Sequence, residues 1–209
     1  GSEMCIRDSK FTAENSGKKI AYIYVPDQAS SDFAKSMIKF MKDEYGVDPV
    51  YEAQAGEKET DFRSFLLKAK AANPDAIVLS GLVDETVRAL KQSYEVGIPK
   101  SVARVANSVA SKVEVPTNAG KAAVGVTYAA AFAASDKRPI AKKFVKKIKD
   151  TYGVVPGHDF SQMQDLLDML RPALESAQLK FSGDLAADRN QVRDSCLLYT
   201  SDAADDGLS

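Results

Sequence analysis

A short apolar or β-branched run, followed by a turn and an amphipathic helix, repeats along the chain between Lys18 and Tyr128. The runs are segments 20–25, 49–53, 76–79, 102–105 and 123–128. The segments between them are too long for hairpin loops, so neighbouring strands should pair in parallel through right-handed crossovers. The pattern therefore predicts an open α/β sheet. Sheets of this kind bind ligands at the carboxyl ends of their strands.

The helical segments carry apolar stripes with a period of 3.6 residues. Phe33, Met37 and Met41 share one face of the first segment, and the lysines of that segment lie away from it. Thr60 or Asp61 can cap the second helix, because a side-chain oxygen there accepts hydrogen bonds from backbone N–H groups of the first turn. An all-helical bundle would leave the β-branched runs unexplained.

After Tyr128 the alternation stops, and two helices are predicted without strands between them. Ile140, Phe144 and Ile148 line one face of the first, and a lysine cluster covers the rest of residues 142–149. The second has an apolar stripe of its own and contains Pro172, which should kink or shorten it. Both stripes need an apolar partner layer that the following sequence does not supply.

The composition excludes several classes of partner. The 209 residues are 44% hydrophobic and 27% charged, and the net charge is −1. No global basic field therefore attracts nucleic acid, and the lysine cluster is most simply the solvated face of its helix. No apolar run approaches the roughly 20 residues that a membrane span needs. We expect neither nucleic-acid binding nor direct membrane insertion.

The two ends differ in pattern from the interior. The only cysteines, Cys5 and Cys196, lie in terminal stretches that share the tripeptide Arg-Asp-Ser. Both stretches resemble translated sequencing-adapter sequence, so residues 1–9 and 193–209 are interpreted as artefactual tails, and the alternative is that they are native. Residues 1–9 and roughly 196–209 are expected to pack little against the sheet. The natural segment would then run from about Lys10 to about Val192.

No constellation of residues points to catalysis or to a metal. His158 is the only histidine and is expected in a loop. Without a second histidine or an interior cysteine, an imidazole or thiolate metal site and a Ser-His-Asp triad have little to work with. The glycine-rich motifs that hold nucleotide phosphates are missing. We therefore expect no metal, no cofactor and no enzymatic activity.

Polar residues follow three of the predicted strands. Segment 27–31 follows the first strand, 80–84 the third and 107–108 the fourth. All should open onto the carboxyl edge of the sheet, where helix N-termini can hold a carboxylate or carbonyl group. The alternative interpretation is that the serines and aspartates in these segments are only helix caps and turn formers.

Several short motifs, in order and at fixed spacing, carry a resemblance to a known family. They are Gly17-Lys18-Lys19-Ile20-Ala21, Thr60-Asp61-Phe62, Lys70-Ala71-Ala72-Asn73-Pro74-Asp75-Ala76, Leu90-Lys91-Gln92 before Val96-Gly97, Ala119-Gly120 before Gly125-Val126, Lys149-Asp150-Thr151-Tyr152-Gly153 and Asp184-Leu185-Ala186-Ala187-Asp188-Arg189. The interior resembles the type I periplasmic substrate-binding proteins of ABC importers, in particular the leucine/isoleucine/valine-binding group.

The resemblance implies two α/β lobes that close on a ligand held between them. It implies a doubly wound parallel sheet of order 2-1-3-4-5, with strands near 19–25, 49–54, 76–80, 101–106 and 123–128. Residues 10–127 would be the ligand-binding lobe, which is the family's second lobe. Residues 128–192 would be a crossover and helices that belong to the first lobe. The body of the first lobe should precede Lys10, so we expect that the chain is a fragment.

The implied function is that of a solute receptor in the periplasm, or of an extracellular lipoprotein, that delivers a small molecule to the membrane permease of an ABC importer. The implied ligand-binding residues are Gln28, Ala29, Ser30, Leu82, Asn107 and Ser108. The alternative function is a ligand-sensing domain of a signalling receptor or transcriptional regulator, which uses the same fold.

Three of these positions depart from the family pattern. Many amino-acid-binding members have an aromatic residue where Ala29 and Leu82 stand, and an acid where Ser108 stands. In the family that acid pairs with the ammonium group of the ligand. Burial of an unpaired ammonium costs several kcal/mol. We therefore expect a ligand without a free ammonium group, such as an organic acid or an amide.

Overall fold

The computed structural model describes residues 3–177 and 183–205. The strands are β1 (Ile20–Tyr24), β2 (Tyr51–Gln54), β3 (Ala76–Ser80), β4 (Ala103–Ala106) and β5 (Val126–Thr127). The helices are α1 (Glu3–Asn15), α2 (Gln28–Tyr45), α3 (Arg63–Ala71), α4 (Val83–Glu95), α5 (Glu114–Ala119), α6 (Pro139–Tyr152), α7 (His158–Ser176) and α8 (Leu185–Asp205). The chain divides into two compact units, Gly1–Arg138 and Pro139–Ser209.

The first unit contains the whole sheet. Its order is β2-β1-β3-β4-β5, and every neighbouring pair is parallel. In the register of the sheet Tyr22 pairs with Glu52, Ile20 with Ala76, and Arg104 with Val126. The predicted strand positions and the doubly wound order are therefore confirmed.

Helices cover both faces of the sheet because β1 is apolar on both faces. Ala21 and Ile23 belong to the core on the side of α3, α4 and α5. Ile20, Tyr22 and Tyr24 belong to the core on the other side, together with residues of α2. Successive side chains of a strand point to opposite faces, so this fully buried strand joins the two cores.

Helix α1 was not expected from the sequence. It lies against α2, and the Cys5 side chain is 6% exposed within the core on that face. The expectation that residues 1–9 pack little is therefore wrong for the described part of that segment. Cys5, Asp8, Ser9 and Thr12 share one helix face and are all buried.

Two of the buried polar residues of α1 are satisfied by the helix itself. The hydroxyl groups of Ser9 and Thr12 donate to the carbonyl oxygens of Cys5 and Asp8, each at 2.7 Å. A hydroxyl that bonds back to the preceding turn needs no partner outside its own helix. A hydrophobic pattern alone does not detect such a face.

The N-terminus of α3 is held by two side chains. The N-cap is Phe62 and not Thr60 or Asp61, but Asp61, one residue earlier, accepts from the backbone N–H of Arg63 at 3.1 Å. Gln92, from α4, accepts from the N–H of Phe62 and donates to the carbonyl oxygen of Thr60. The buried Gln92 amide thus contributes a long-range cap that local sequence does not reveal.

The second unit contains α6, α7 and α8. His158 begins α7 and is buried, so the prediction that it lies in a loop is wrong. Helix α7 is not shortened at Pro172. Its predicted apolar stripe exists, but Met163, Leu166 and Leu167 on it are exposed.

Helix α8 extends through the end predicted at Val192 and continues to Asp205. The helix therefore shows no break at the expected start of the C-terminal tail. Residues 206–209 of that tail lie outside the described residues.

Replacement of Gly17 by alanine should weaken the entry into β1. Gly17 has φ +121°, and an added Cβ would lie 2.4 Å from Oδ2 of Asp75. That oxygen accepts from the backbone N–H groups of Lys18 and Lys19 at 3.1 and 2.9 Å. Backbone strain and disturbance of these bonds together should lower the free energy of unfolding by about 2 kcal/mol or more in urea denaturation.

Gly46 provides the matched control for this substitution. It also has positive φ, +64°, but an added Cβ would meet nothing within 4 Å. Gly46→Ala should therefore cost only about 1 kcal/mol, the penalty of the left-handed conformation. Equal losses in the two variants would show that the contact with Asp75 is unimportant.

The pH dependence of stability should report on Asp8. Burial raises the pKa of its carboxyl group to about 7, against the opposing effect of a hydrogen bond from the backbone of Ala129. Because the folded-state pKa lies above the unfolded value, stability should fall as pH rises from about 4 to about 7. Urea titrations at several pH values should show this fall, and Asp8→Asn should reduce it. An unchanged slope in Asp8→Asn would contradict the assignment.

Candidate functional site

The carboxyl edge of the sheet brings together the loops after β1, β3 and β4, which are neighbours in the sheet. The loop after β1 leads into α2, which packs on one face. The loop after β3 leads into α4, which packs on the other. The connections after β1 and β3 therefore leave the sheet towards opposite faces. A crevice opens between them, at the point where the strand order reverses.

Side-chain hydrogen bonds connect these loops. Ser80, at the end of β3, donates from its hydroxyl to the carbonyl oxygen of Ser30 at 3.1 Å. Asn107, just after β4, donates from Nδ2 to the carbonyl oxygen of Gly81 at 3.1 Å. Ser31 donates to the carbonyl oxygen of Val25 at 3.1 Å. The Ser31 bond lies within the loop after β1, whereas the other two bonds join neighbouring loops, so the edge is held both within and between loops.

The first turn of α2 lies at this edge. Asp27 is its N-cap, and Oδ1 accepts from the N–H of Ser30 at 3.1 Å. Gln28 and Ala29, the first two residues of the helix, are exposed. Since a helix N-terminus carries a partial positive charge, this turn can face an anionic group.

An open groove with a volume of about 590 Å³ lies beside this turn. Ala29, Asn107 and Ser108 line it, so the structure brings together three of the predicted ligand-binding residues. The remaining lining residues are Cys5, Asp32, Phe33, Lys35, Ser36, Lys39 and Val109. The floor is thus partly apolar, and charged side chains from α2 stand at the rim.

The other three predicted residues lie apart from the groove lining. Leu82 is the N-cap residue of α4 and is 52% exposed. Gln28 is exposed in the first turn of α2. Ser30 is fully buried, so in this conformation it supports the loop below the surface.

Buried polar atoms without a hydrogen-bond partner are concentrated at this edge. Among the described residues five such side-chain atoms occur, and three of them are Oδ2 of Asp27, Oγ of Ser30 and Oδ1 of Asn107. An unsatisfied buried polar atom costs free energy and needs an explanation. Their concentration marks this edge as the candidate binding site.

Sequence reasoning missed some residues of the site. Asp32, Phe33 and Ser36 line the groove from the second and third turns of α2. Glu85 is buried in the first turn of α4 and lines a small recess with Ser80 and Gly81. The residues on α2 could have been predicted from helical spacing, because residues three and four positions after the first turn lie on the same face of the helix.

The described residues offer no group of three or more histidine, cysteine, aspartate or glutamate side chains that could hold a metal ion. Within residues 3–177 and 183–205, no helix is long and apolar enough to cross a membrane.

Several solved structures are similar to this chain in fold. The leucine-binding protein LivK of Thermotoga maritima is 22% identical, with a TM-score of 0.78, over 92% of this chain and 53% of its own. The substrate-binding protein LivJ of Streptococcus pneumoniae, in complex with isoleucine, is 22% identical, with a TM-score of 0.73, over 90% of this chain and 51% of its own.

A third structure has a different ligand. A solute-binding protein of an ABC transporter from Rhodopseudomonas palustris, in complex with 3,4-dihydroxybenzoic acid, is 24% identical. Its TM-score is 0.68, over 83% of this chain and 48% of its own. The chain thus spans about half the length of the structures it matches. At these identities the likeness shows a shared fold.

A comparison with curated protein sequences gives no match. A family model described as periplasmic binding protein matches residues 9–195. Members of that family are non-enzymatic solute receptors. The match extends over nearly the whole chain and agrees with the parallel sheet and the groove at its carboxyl edge, so the chain belongs to the periplasmic binding protein family.

Proposed function

We propose that the chain is part of the solute-binding receptor of an ABC importer and binds a small polar or amphipathic molecule. The observation that carries the proposal is the convergence of Ala29, Asn107 and Ser108 on one groove at the carboxyl edge of the sheet. The chain belongs to a family of solute receptors, and its sequence did not lead us to expect a catalytic group of residues. Both points support a receptor over an enzyme.

In this proposal the first unit is one wall of a ligand cleft. Gln28, Ala29, Leu82, Asn107 and Ser108 form its surface. Residues 10–127 are the ligand-binding lobe, and residues 128–192 are a crossover and helices of the first lobe.

A binding site commonly buries about 70–90% of its ligand's surface. One wall cannot achieve this, so the chain alone should bind its ligand weakly. This is in keeping with a chain that spans about half the length of the matched structures.

The ligand we propose is an organic acid or an amide and not an amino acid. Ala29, Leu82 and Ser108 provide neither aromatic rings nor a carboxylate at the three positions where the family pattern has them. The related structures contain isoleucine in one case and 3,4-dihydroxybenzoic acid in another, so the fold accepts ligands with and without an ammonium group.

The implied partner is the membrane permease of the importer, and the implied location is the periplasm or the outer face of the cell membrane. The family consists of periplasmic and extracellular binding proteins. Permease and ATPase genes beside the gene for this chain would support this assignment. A gene neighbourhood of signalling proteins would instead support a ligand-sensing domain.

Calorimetric titration of the complete two-lobed receptor tests the ligand class. Leucine, valine and a panel of carboxylic acids and amides should be compared at fixed pH and salt concentration. We expect micromolar binding of at least one acid or amide and no comparable heat with leucine or valine. Micromolar or tighter binding of a zwitterionic amino acid would contradict the proposed ligand class.

Substitution of Ser108 by glutamate should change this preference. A carboxylate there would offset the burial of an ammonium group, so leucine should bind at least tenfold more tightly to Ser108→Glu than to the unmodified receptor. Ser101→Glu is the matched control, because Ser101 is exposed before the amino end of β4 and receives the same charge. Equal gains in both variants would show only a long-range effect of charge.

A further inference from the structure

We infer that Asn107 selects a ligand that donates a hydrogen bond from a neutral group, a hydroxyl or an amide N–H, to its side-chain oxygen Oδ1. The inference rests on the proposed function, because it concerns the ligand of the same groove. It adds the chemical group that the ligand must carry next to its acid or amide function.

The orientation of the Asn107 side chain follows from its partner. Nδ2 donates to the carbonyl oxygen of Gly81 at 3.1 Å. A reversed amide would place its oxygen against that carbonyl oxygen, and two acceptors would face each other. Oδ1 is therefore the end that does not face Gly81, and it can only accept a hydrogen bond.

A capping role does not account for Oδ1. Asn107 precedes a short 3₁₀ turn, Ser108–Ser111, and at such positions an asparagine oxygen commonly accepts a backbone N–H. Here no side-chain cap bond forms, and the N–H of Ala110 donates instead to the backbone carbonyl oxygen of Asn107 at 3.0 Å. The side-chain oxygen has no partner within the described part of the chain.

Burial makes this free acceptor costly. Asn107 is 7% exposed, yet it lines the groove beside Ala29 and Ser108. A buried acceptor without a hydrogen bond typically costs about 1–3 kcal/mol. Oδ1 itself is covered in this structure, so a ligand donor reaches it by displacing a neighbouring group of the groove. The hydrogen bond formed there removes that cost, so a ligand with the donor should bind more tightly than one without it.

The charges around the groove favour a neutral donor over an ammonium group. Asn107 and Ser108 carry no formal charge, so neither offsets the burial of a cation. Asp32 lines the rim, but it is exposed, and solvent screens its charge. The N-terminus of α2 at Ala29 favours an anionic group instead. The ligand class is therefore a carboxylic acid with a nearby hydroxyl or amide N–H.

Three molecules with one carbon skeleton test the inference. Alpha-hydroxyisocaproate, isocaproate and leucine carry a hydroxyl, a hydrogen and an ammonium group at the same carbon. Each should be titrated to tens of millimolar into the isotopically labelled 209-residue chain, with two-dimensional NMR of its amide groups. We expect shifts at residues 28–29 and 107–109 and at the Asn107 side-chain amide. The hydroxy acid should bind at least tenfold more tightly than isocaproate, and leucine no more tightly than isocaproate.

Two substitutions separate ligand recognition from loop support. Asn107→Ala should bring the affinities for the hydroxy acid and isocaproate to within about twofold of each other. Asn107→Asp keeps an acceptor, loses the donor to Gly81 and adds a negative charge, so it should shift the preference to leucine. A purely structural role would make the two variants equally poor. Asn118→Ala, at an exposed asparagine of α5, should leave all three affinities unchanged.

The outcomes distinguish this inference from the proposed function. Equal affinity of the unmodified chain for the hydroxy acid and isocaproate, with shifts at the groove, would overturn the role of Asn107 and leave the receptor function intact. Tightest binding of leucine would also overturn it. An absence of shifts at residues 28–29 and 107–109 with all three molecules would overturn both.

Discussion

The burial of β1 on both of its faces determines the position of every other element in the first unit. Ile23 belongs to one core and Tyr22 to the other, so helices must cover both sides of the sheet. Parallel pairing with β2 and β3 then places the crossovers on opposite faces. The crevice at the carboxyl edge is a consequence of this arrangement and not of any residue that lines it.

The hydrogen bonds at the carboxyl edge also depend on the apolar sheet below them. Ser80 and Asn107 bond to backbone oxygens of neighbouring loops, and these bonds require strands in the correct register below them. Since the loops are held by each other, the remaining polar atoms of Ser30 and Asn107 stay unpaired. Such uncompensated atoms lower stability, and natural proteins tolerate them where they serve binding.

The sheet could be predicted from sequence because its signals are local and repeated. Strand positions, parallel pairing and the gathering of Ala29, Asn107 and Ser108 follow from alternation and chain order. Helix α1 could not be predicted, because its buried face is largely polar and includes Ser9 and Thr12, whose hydroxyl groups the helix itself satisfies. The burial of Ser30 and the cap from Gln92 could not be predicted either, because each depends on contacts between segments distant in sequence.

In the proposed site, the fold and the ligand preference would be largely independent of each other. Ala29 and Leu82 are exposed, and Ser108 is half-buried beyond the end of β4, so substitutions at these positions leave both cores intact. A change of ligand class therefore needs no change in the sheet. Asn107 is different, because one end of its amide supports the loop and the other end faces no partner. In the proposed site, such a residue would constrain the ligand more than its neighbours do, since its donor end is already committed to Gly81 and only an acceptor remains.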